Sequence, residues 1–193
     1  MESKMILGYI GAFIAFVGYI PYFRDIFKGT TKPHAISWFI WGLITSTIFV
    51  VQLLEGGGAG SWVTGVSGLL SFVIYFFAFF KGEKKFVTID YLSLGGALLG
   101  IFLWILTKEP LSAVIVLSIT DTIGYIPTLR KAFFKPYEET LSTWLLCSLK
   151  YVFPLFAFDV FSVLNWLYPV TLIFMNMLVA ILLIVRRKMI KRN

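Results

Sequence analysis

Gly18-Tyr19-Ile20-Pro21-Tyr22-Phe23-Arg24 returns 106 residues later as Gly124-Tyr125-Ile126-Pro127-Thr128-Leu129-Arg130. At the same offset, without a gap, Phe27 falls on Phe133, Trp38 on Trp144 and Ser37 on Thr143. Agreement of this extent at one offset marks an internal repeat rather than chance likeness between apolar segments. Each copy closes an apolar run and leads through a basic loop into the next run. Both loops carry Lys-Pro, at Lys32-Pro33 and Lys135-Pro136, three positions out of register.

The chain around the repeat is 193 residues long, 59% hydrophobic and only 14% charged. An ordinary globular domain carries roughly 25% charged residues. The mean hydropathy is +0.87. A soluble domain of this size still exposes much of its surface and has no place to hide so much apolar side chain. Lipid is the matching solvent. A membrane span needs ~20 mostly apolar residues, and seven such runs are present, at about 5–23, 35–54, 61–80, 86–106, 110–129, 139–158 and 164–185. The weakest break lies around Asp159. The runs lack the alternation of a barrel strand, so they are expected to be helices. The first run is long enough to span and has no small-residue cleavage site after it, so it reads as a retained span.

Lys and Arg orient the bundle. Lys4 and Lys108 are the only ones on the N-terminal side. The opposite side holds Arg24, Lys28, Lys32, Lys81, Lys84, Lys85, Arg130, Lys131, Lys135, Arg186, Arg187, Lys188, Lys191 and Arg192. The positive-inside rule then places the N-terminus outside and the C-terminus in the cytoplasm, in a cell (plasma) membrane. The net charge of +7 is thus topological. Its expected partner is the anionic inner leaflet, not nucleic acid. One cysteine, Cys147, allows no intrachain disulfide, and one histidine, His34, leaves zinc chemistry without ligands. No cofactor and no metal are expected. There is no Ser/His/Asp set, no carboxylate pair on one helix and no Gly-rich phosphate loop, so an enzyme is not expected either.

The repeat dictates the plan. Its copies lie on the first and fifth spans, which run in the same direction. The halves are therefore parallel, and the fourth span is left as a linker. The expected fold is all-α: two parallel three-helix bundles joined by a linker helix (3+1+3). Residues 1–82 form the first repeat, 83–107 the linker, and 108–193 the second repeat with its basic tail. Parallel repeats about an axis along the membrane normal recur in transporters, with the substrate near the midplane.

A proline at the cytoplasmic end of each repeat's first helix, a basic loop, then Ser or Thr and an aromatic opening the next helix: this pattern resembles the PQ-loop family, which includes the SWEET-like (MtN3) sugar transporters. The Pro-Gln of that family is Pro21-Tyr22 and Pro127-Thr128 here. The resemblance implies transport of a small, sugar-like solute by alternating access. Trp38-Phe39-Ile40-Trp41 is also similar to the Trp-x-x-Trp of PnuC-type vitamin transporters, which implies a vitamin or nucleoside as an alternative solute. A third alternative is a ligand-binding receptor or sorting protein of the same fold without flux, as in the KDEL receptors.

Midplane residues are the candidates for binding, because an ionisable group there costs roughly 2.5–3.5 kcal/mol to insert. Asp121 and Lys150 both fall near mid-depth at ~1.5 Å per residue. Two roles are open to them, a buried ion pair that sets helix register or a solute or proton site, and both roles require the two to be close. Lys150 precedes Tyr151 and stands four residues before Pro154. Asn176 lies at mid-depth on the last helix, where the SWEET resemblance implies sugar contact. Ser71, Ser46 and Trp41 complete the candidate pocket. Pro21, Pro127 and Pro154 are candidate hinges, since each removes a backbone hydrogen bond; for Pro21 and Pro127 a plain helix stop is the alternative. Tyr19 and Tyr125 are candidate inner-gate residues. Gly95-Gly96-x-x-x-Gly100 offers a close-packing face, within the chain or across a homo-oligomer. A retinal photoreceptor using Lys150 and Asp121 is disfavoured, because rhodopsins carry that lysine on the seventh helix.

Overall fold

The computed structural model describes residues 2–83 and 88–190. Lys84, Lys85, Lys191 and Arg192 of the expected basic side lie outside the described residues. The described chain is all-α: α1 (Glu2–Phe27), α2 (Ala35–Leu54), a 3-10 turn (Gly58–Ser61), α3 (Trp62–Lys81), α4 (Thr88–Thr107), α5 (Pro110–Phe134), a second 3-10 turn (Pro136–Glu138), α6 (Leu141–Lys150), α7 (Val152–Ala157) and α8 (Val163–Met189). Six of these helices are long and apolar enough to cross a membrane. The protein is a multi-span membrane helical bundle.

The sixth expected span is where the reading of one helix over 139–158 needs correcting. It is two helices, α6 and α7, meeting at Tyr151. The cause is Pro154, which has no N–H to offer the carbonyl four residues back, that of Lys150. The segment from Leu141 to Ala157 is accordingly a short, broken apolar stretch, below the length of the six long helices. By contrast α1 and α5 continue unbroken past Pro21 and Pro127. Neither proline is a helix stop, and Arg24 and Arg130 still lie on the helices. Pro169 likewise sits inside α8.

Packing follows a matched scheme. α3 packs on both α1 and α2, and α8 packs on both α5 and α6. Across the two groups, α1 leans on α6 and α7, while α2 leans on α5. The glycines of the repeated segment explain the close approach. A Cβ on Gly18 would come within 3.0 Å of Leu146 Cβ on α6, and one on Gly124 within 3.3 Å of Trp41 Nε1 on α2. Each glycine therefore lets the first helix of its group meet the second helix of the other. α4 packs on α5 and, more lightly, on α2. Its buried residues, Asp90, Ser93, Ala97 and Gly100, form one stripe at helical spacing. Gly96 and Gly100 face Thr120 and Leu117 of α5, so that part of the small face is used within the chain.

The bundle's outside is apolar and much of its inside is polar. Phe13, Phe16, Phe76, Phe80, Phe102, Ile105, Phe174 and Ile181 are exposed, a surface that only lipid would tolerate. Gln52, Thr64, Asp121, Lys150 and Asn165 are buried. At the N-terminal end the Lys4 ammonium donates to the Phe158 carbonyl at 2.8 Å, and the Val160 N–H to Gly56 O at 3.0 Å. At the opposite end lie the loops and helix ends that carry Arg24, Lys28, Lys32, Lys81, Arg130, Lys131, Lys135 and Arg186 to Lys188.

Candidate solute site

Among the spaces between the helices, two adjoin through shared lining residues. A central cavity of about 30 Å³ is lined by Tyr19, Trp38, Trp41, Thr45, Ser67, Ser71, Asp121, Tyr125, Thr143, Trp144, Cys147, Lys150, Tyr151, Tyr168, Leu172 and Asn176. A vestibule of about 360 Å³ lies toward the basic end, among His34, Glu83, Pro127, Arg130, Lys131 and Glu139. Trp38, Trp41 and Trp144 line both. They are the wall between cavity and vestibule.

That wall is built by the repeat. The Tyr19 and Trp38 rings meet edge-on at 6.1 Å, and so do the equivalent Tyr125 and Trp144 rings. Trp41 joins the two pairs, 5.1 Å from Trp38, 6.2 Å from Trp144 and 5.0 Å from Tyr125. Offset and edge-on ring pairs of this kind are favourable by ~0.5–1.5 kcal/mol each beyond burial. Trp38 donates to the Tyr22 hydroxyl at 3.3 Å and Trp144 to Glu139 Oε2 at 3.2 Å. Trp41 Nε1 has no hydrogen-bond partner among the described residues.

Inside the wall the polar groups come from both helix groups. Lys150, 1% exposed, donates to the Tyr19 hydroxyl at 2.9 Å and sits over the Tyr19 and Tyr151 rings, 4.2 and 4.9 Å from their centroids. Ring faces attract a cation through their quadrupole. Its place at the last residue of α6 follows from the break that Pro154 imposes. Asp121 is fully buried. Its Oδ1 takes a long 3.5 Å contact from the Tyr168 hydroxyl, which is itself 2.7 Å from Thr45 Oγ1. Its Oδ2 has no partner among the described residues.

Asp121 and Lys150 line the same cavity, but among the described residues no ion pair joins them. Of the two roles open to them, the register ion pair is the one not formed among the described residues. α8 packs on both α5 and α6 and brings Tyr168, Leu172 and Asn176 to the cavity. Lys150 turns instead to Tyr19 on α1.

The remaining candidates sort by helix rotation. Asn176 lines the cavity, and its amide donates to Leu172 O at 2.6 Å. Ser71 lines it too, donating to Ser67 O at 2.8 Å. Tyr151, Trp41, Tyr19 and Tyr125 all line the cavity. Ser46 is not in the lining. It faces α3, where a Cβ on Gly68 would meet its Oγ at 2.6 Å, and its neighbour Thr45 takes the cavity side. Pro127 borders the vestibule, and Pro21 and Pro154 border neither space.

Sequence reasoning missed two features. Trp38 and Trp144 were matched by the repeat but not read as a wall; their pairing at the offset 106 residues was the available signal. Toward the N-terminal end of the bundle lie buried amides that depth along a helix does not single out. Gln52 Nε2 donates to Asn165 O at 3.0 Å, and Asn165 Nδ2 donates to Val160 O at 2.8 Å and Glu55 O at 3.1 Å. No family model, curated protein or solved structure matches this chain.

Proposed function

We propose that the protein is a membrane transporter that carries a small polar solute, chemically unchanged, by alternating access. The observation that carries this reading is the central cavity itself: a polar space with buried ionisable groups in an apolar bundle, separated from a vestibule at the basic end by a wall of rings. Buried polar and ionisable groups at membrane depth are costly and mark solute or ion pathways.

In this reading the chain is two parallel three-helix units joined by α4, a 3+1+3 plan. Its support is the matched packing of α3 and α8, the crossed contacts of α1 with α6 and of α2 with α5, and the equal Tyr19–Trp38 and Tyr125–Trp144 spacings. The N-terminus is outside and the basic end is cytoplasmic, in the cell membrane, as the charge bias implies. The solute enters from the vestibule when the tryptophan wall parts. At ~10–15 Å³ per water-sized probe, 30 Å³ holds about two waters. A solute of several heavy atoms needs the wall or the amide end to move. Pro21 and Pro127 lie inside their helices and supply the bend.

A sugar-like solute is what the resemblance to the PQ-loop family implies, and ring faces with Asn176 and the cavity hydroxyls suit hydroxylated rings. A vitamin or nucleoside is the alternative. The test is flux in proteoliposomes of the purified protein, with sugars, nucleosides, vitamins and amino acids. Uptake of at least one class above empty liposomes is expected. Binding without any flux would replace the transporter with a receptor of the same fold.

A further inference from the structure

We propose that the carried solute is a small zwitterion of the amino-acid type, with its carboxylate on the Lys150 side of the cavity and its ammonium on Asp121. This inference rests on the transporter reading and narrows it.

Two groups of opposite charge type line one small cavity, both buried, and among the described residues each has a tyrosine hydroxyl for partner rather than the other. In a low-dielectric interior an ion without a counter-charge is strongly disfavoured. Lys150 has a hydroxyl and two ring faces, which solvate a cation without neutralising it. Asp121 has one long hydroxyl contact and an oxygen with no partner among the described residues. On the donor side, Trp41 Nε1 is also without a partner. The cavity thus offers an acceptor wanting a donor and donors wanting an acceptor.

A solute bearing both charges meets both needs and adds no net charge to the interior. A neutral polyol would leave an ammonium and a carboxylate each without a counter-charge. A simple cation would suit Asp121 but would face Lys150 as a like charge, and a simple anion would meet the reverse. Charge-assisted hydrogen bonds at both ends are also the stronger kind. The rings of Tyr19, Trp38, Tyr125 and Trp144 leave an apolar flank for a side chain.

The experiment uses the purified full-length protein. Binding of the twenty common L-amino acids and of D-glucose is measured by calorimetry, then uptake of any that bind is measured in proteoliposomes. The best amino acid is compared with its own amide, which lacks the carboxylate, and its N-acetyl form, which lacks the ammonium. We expect the intact amino acid to bind at least tenfold more tightly than either blocked form. Asp121→Asn should erase the preference over the N-acetyl form, and Lys150→Met the preference over the amide. The wild-type series decides the matter even if either variant does not fold. Blocked forms that bind as well as the parent, or glucose bound and carried while amino acids are not, would overturn the zwitterion and leave the transporter standing. If none of these binds but another solute is carried, the zwitterion alone fails. If no compound at all is bound or carried, both readings fail.

Discussion

The two ends of the bundle are shut by different chemistry. At the N-terminal end, amide side chains reach backbone carbonyls: Gln52 to Asn165 O, and Asn165 to Glu55 O and Val160 O. At the basic end, the barrier over the cavity is three tryptophans and two tyrosines. Below them the Lys131–Glu139 ion pair spans 2.9 Å, and Lys131 also donates to the Lys32 carbonyl. Hydrogen bonds to backbone carbonyls are directional and break as a set. Ring contacts weaken gradually as the rings slide. The difference suggests a latch at one end and a yielding wall at the other, and each substitution below is a way to break that contrast or sharpen it. The natural reporter is Cys147, the only cysteine in the chain and a residue of the cavity lining. Its rate of reaction with a small, membrane-impermeant methanethiosulfonate reagent measures how open the cavity is.

Trp144→Ala should have the largest effect. It deletes a buried indole, which costs ~3–5 kcal/mol in a packed core, and it joins the cavity to the vestibule. Unfolding in mixed micelles should show the loss, and Cys147 should react at least tenfold faster from the basic side alone. Asn165→Ala comes next. It removes two hydrogen bonds to part-buried carbonyls, for a loss of about 1–2 kcal/mol. Here labelling should quicken from the N-terminal side while the basic side keeps its wild-type rate. Faster labelling from the basic side would mean that the two barriers are not separate.

Glu139→Gln keeps an acceptor for Trp144 but removes the charge opposite Lys131. Both residues are buried, yet Lys131 retains the Lys32 carbonyl, so a cost of ~1–2 kcal/mol is expected, between exposed and fully buried pairs. Labelling from the basic side should rise only a few-fold. The smallest change in stability belongs to Pro21→Ala and Pro127→Ala, within about 1 kcal/mol, because alanine is the better helix former. Their signature is kinetic: flux should fall while the folded population holds. Unchanged flux would remove both prolines from the mechanism.

Much of the fold was legible because a bilayer restricts the answer so strongly. Run length, charge bias and one repeated heptapeptide were enough to place the long helices within a few residues of their ends. What was not legible turns on rotation and on partners. Depth counted along a helix places Asp121 and Lys150 at one level, but it says nothing of which way each points or that each finds a tyrosine hydroxyl instead of the other. Thr45 and Ser46 differ by ~100° around their helix, enough to send one to the cavity and the other to Gly68. Pro154 was recognised as a bend. That it would end α6 at Lys150, and so leave the ammonium facing α1, depends on neighbours that no single helix reveals. Asn165 sits too near its helix start to stand out by depth, yet it holds the N-terminal end.

Alternating access requires that the cavity open to each side in turn. The most direct test is labelling of Cys147 in the wild-type protein, in sealed vesicles, with the impermeant reagent placed first on one side and then on the other. The account predicts reaction from both sides, faster from the basic side, with Asn165→Ala raising only the other. Reaction from the basic side alone, unchanged by Asn165→Ala, would show a cavity with one mouth and would contradict a transporter.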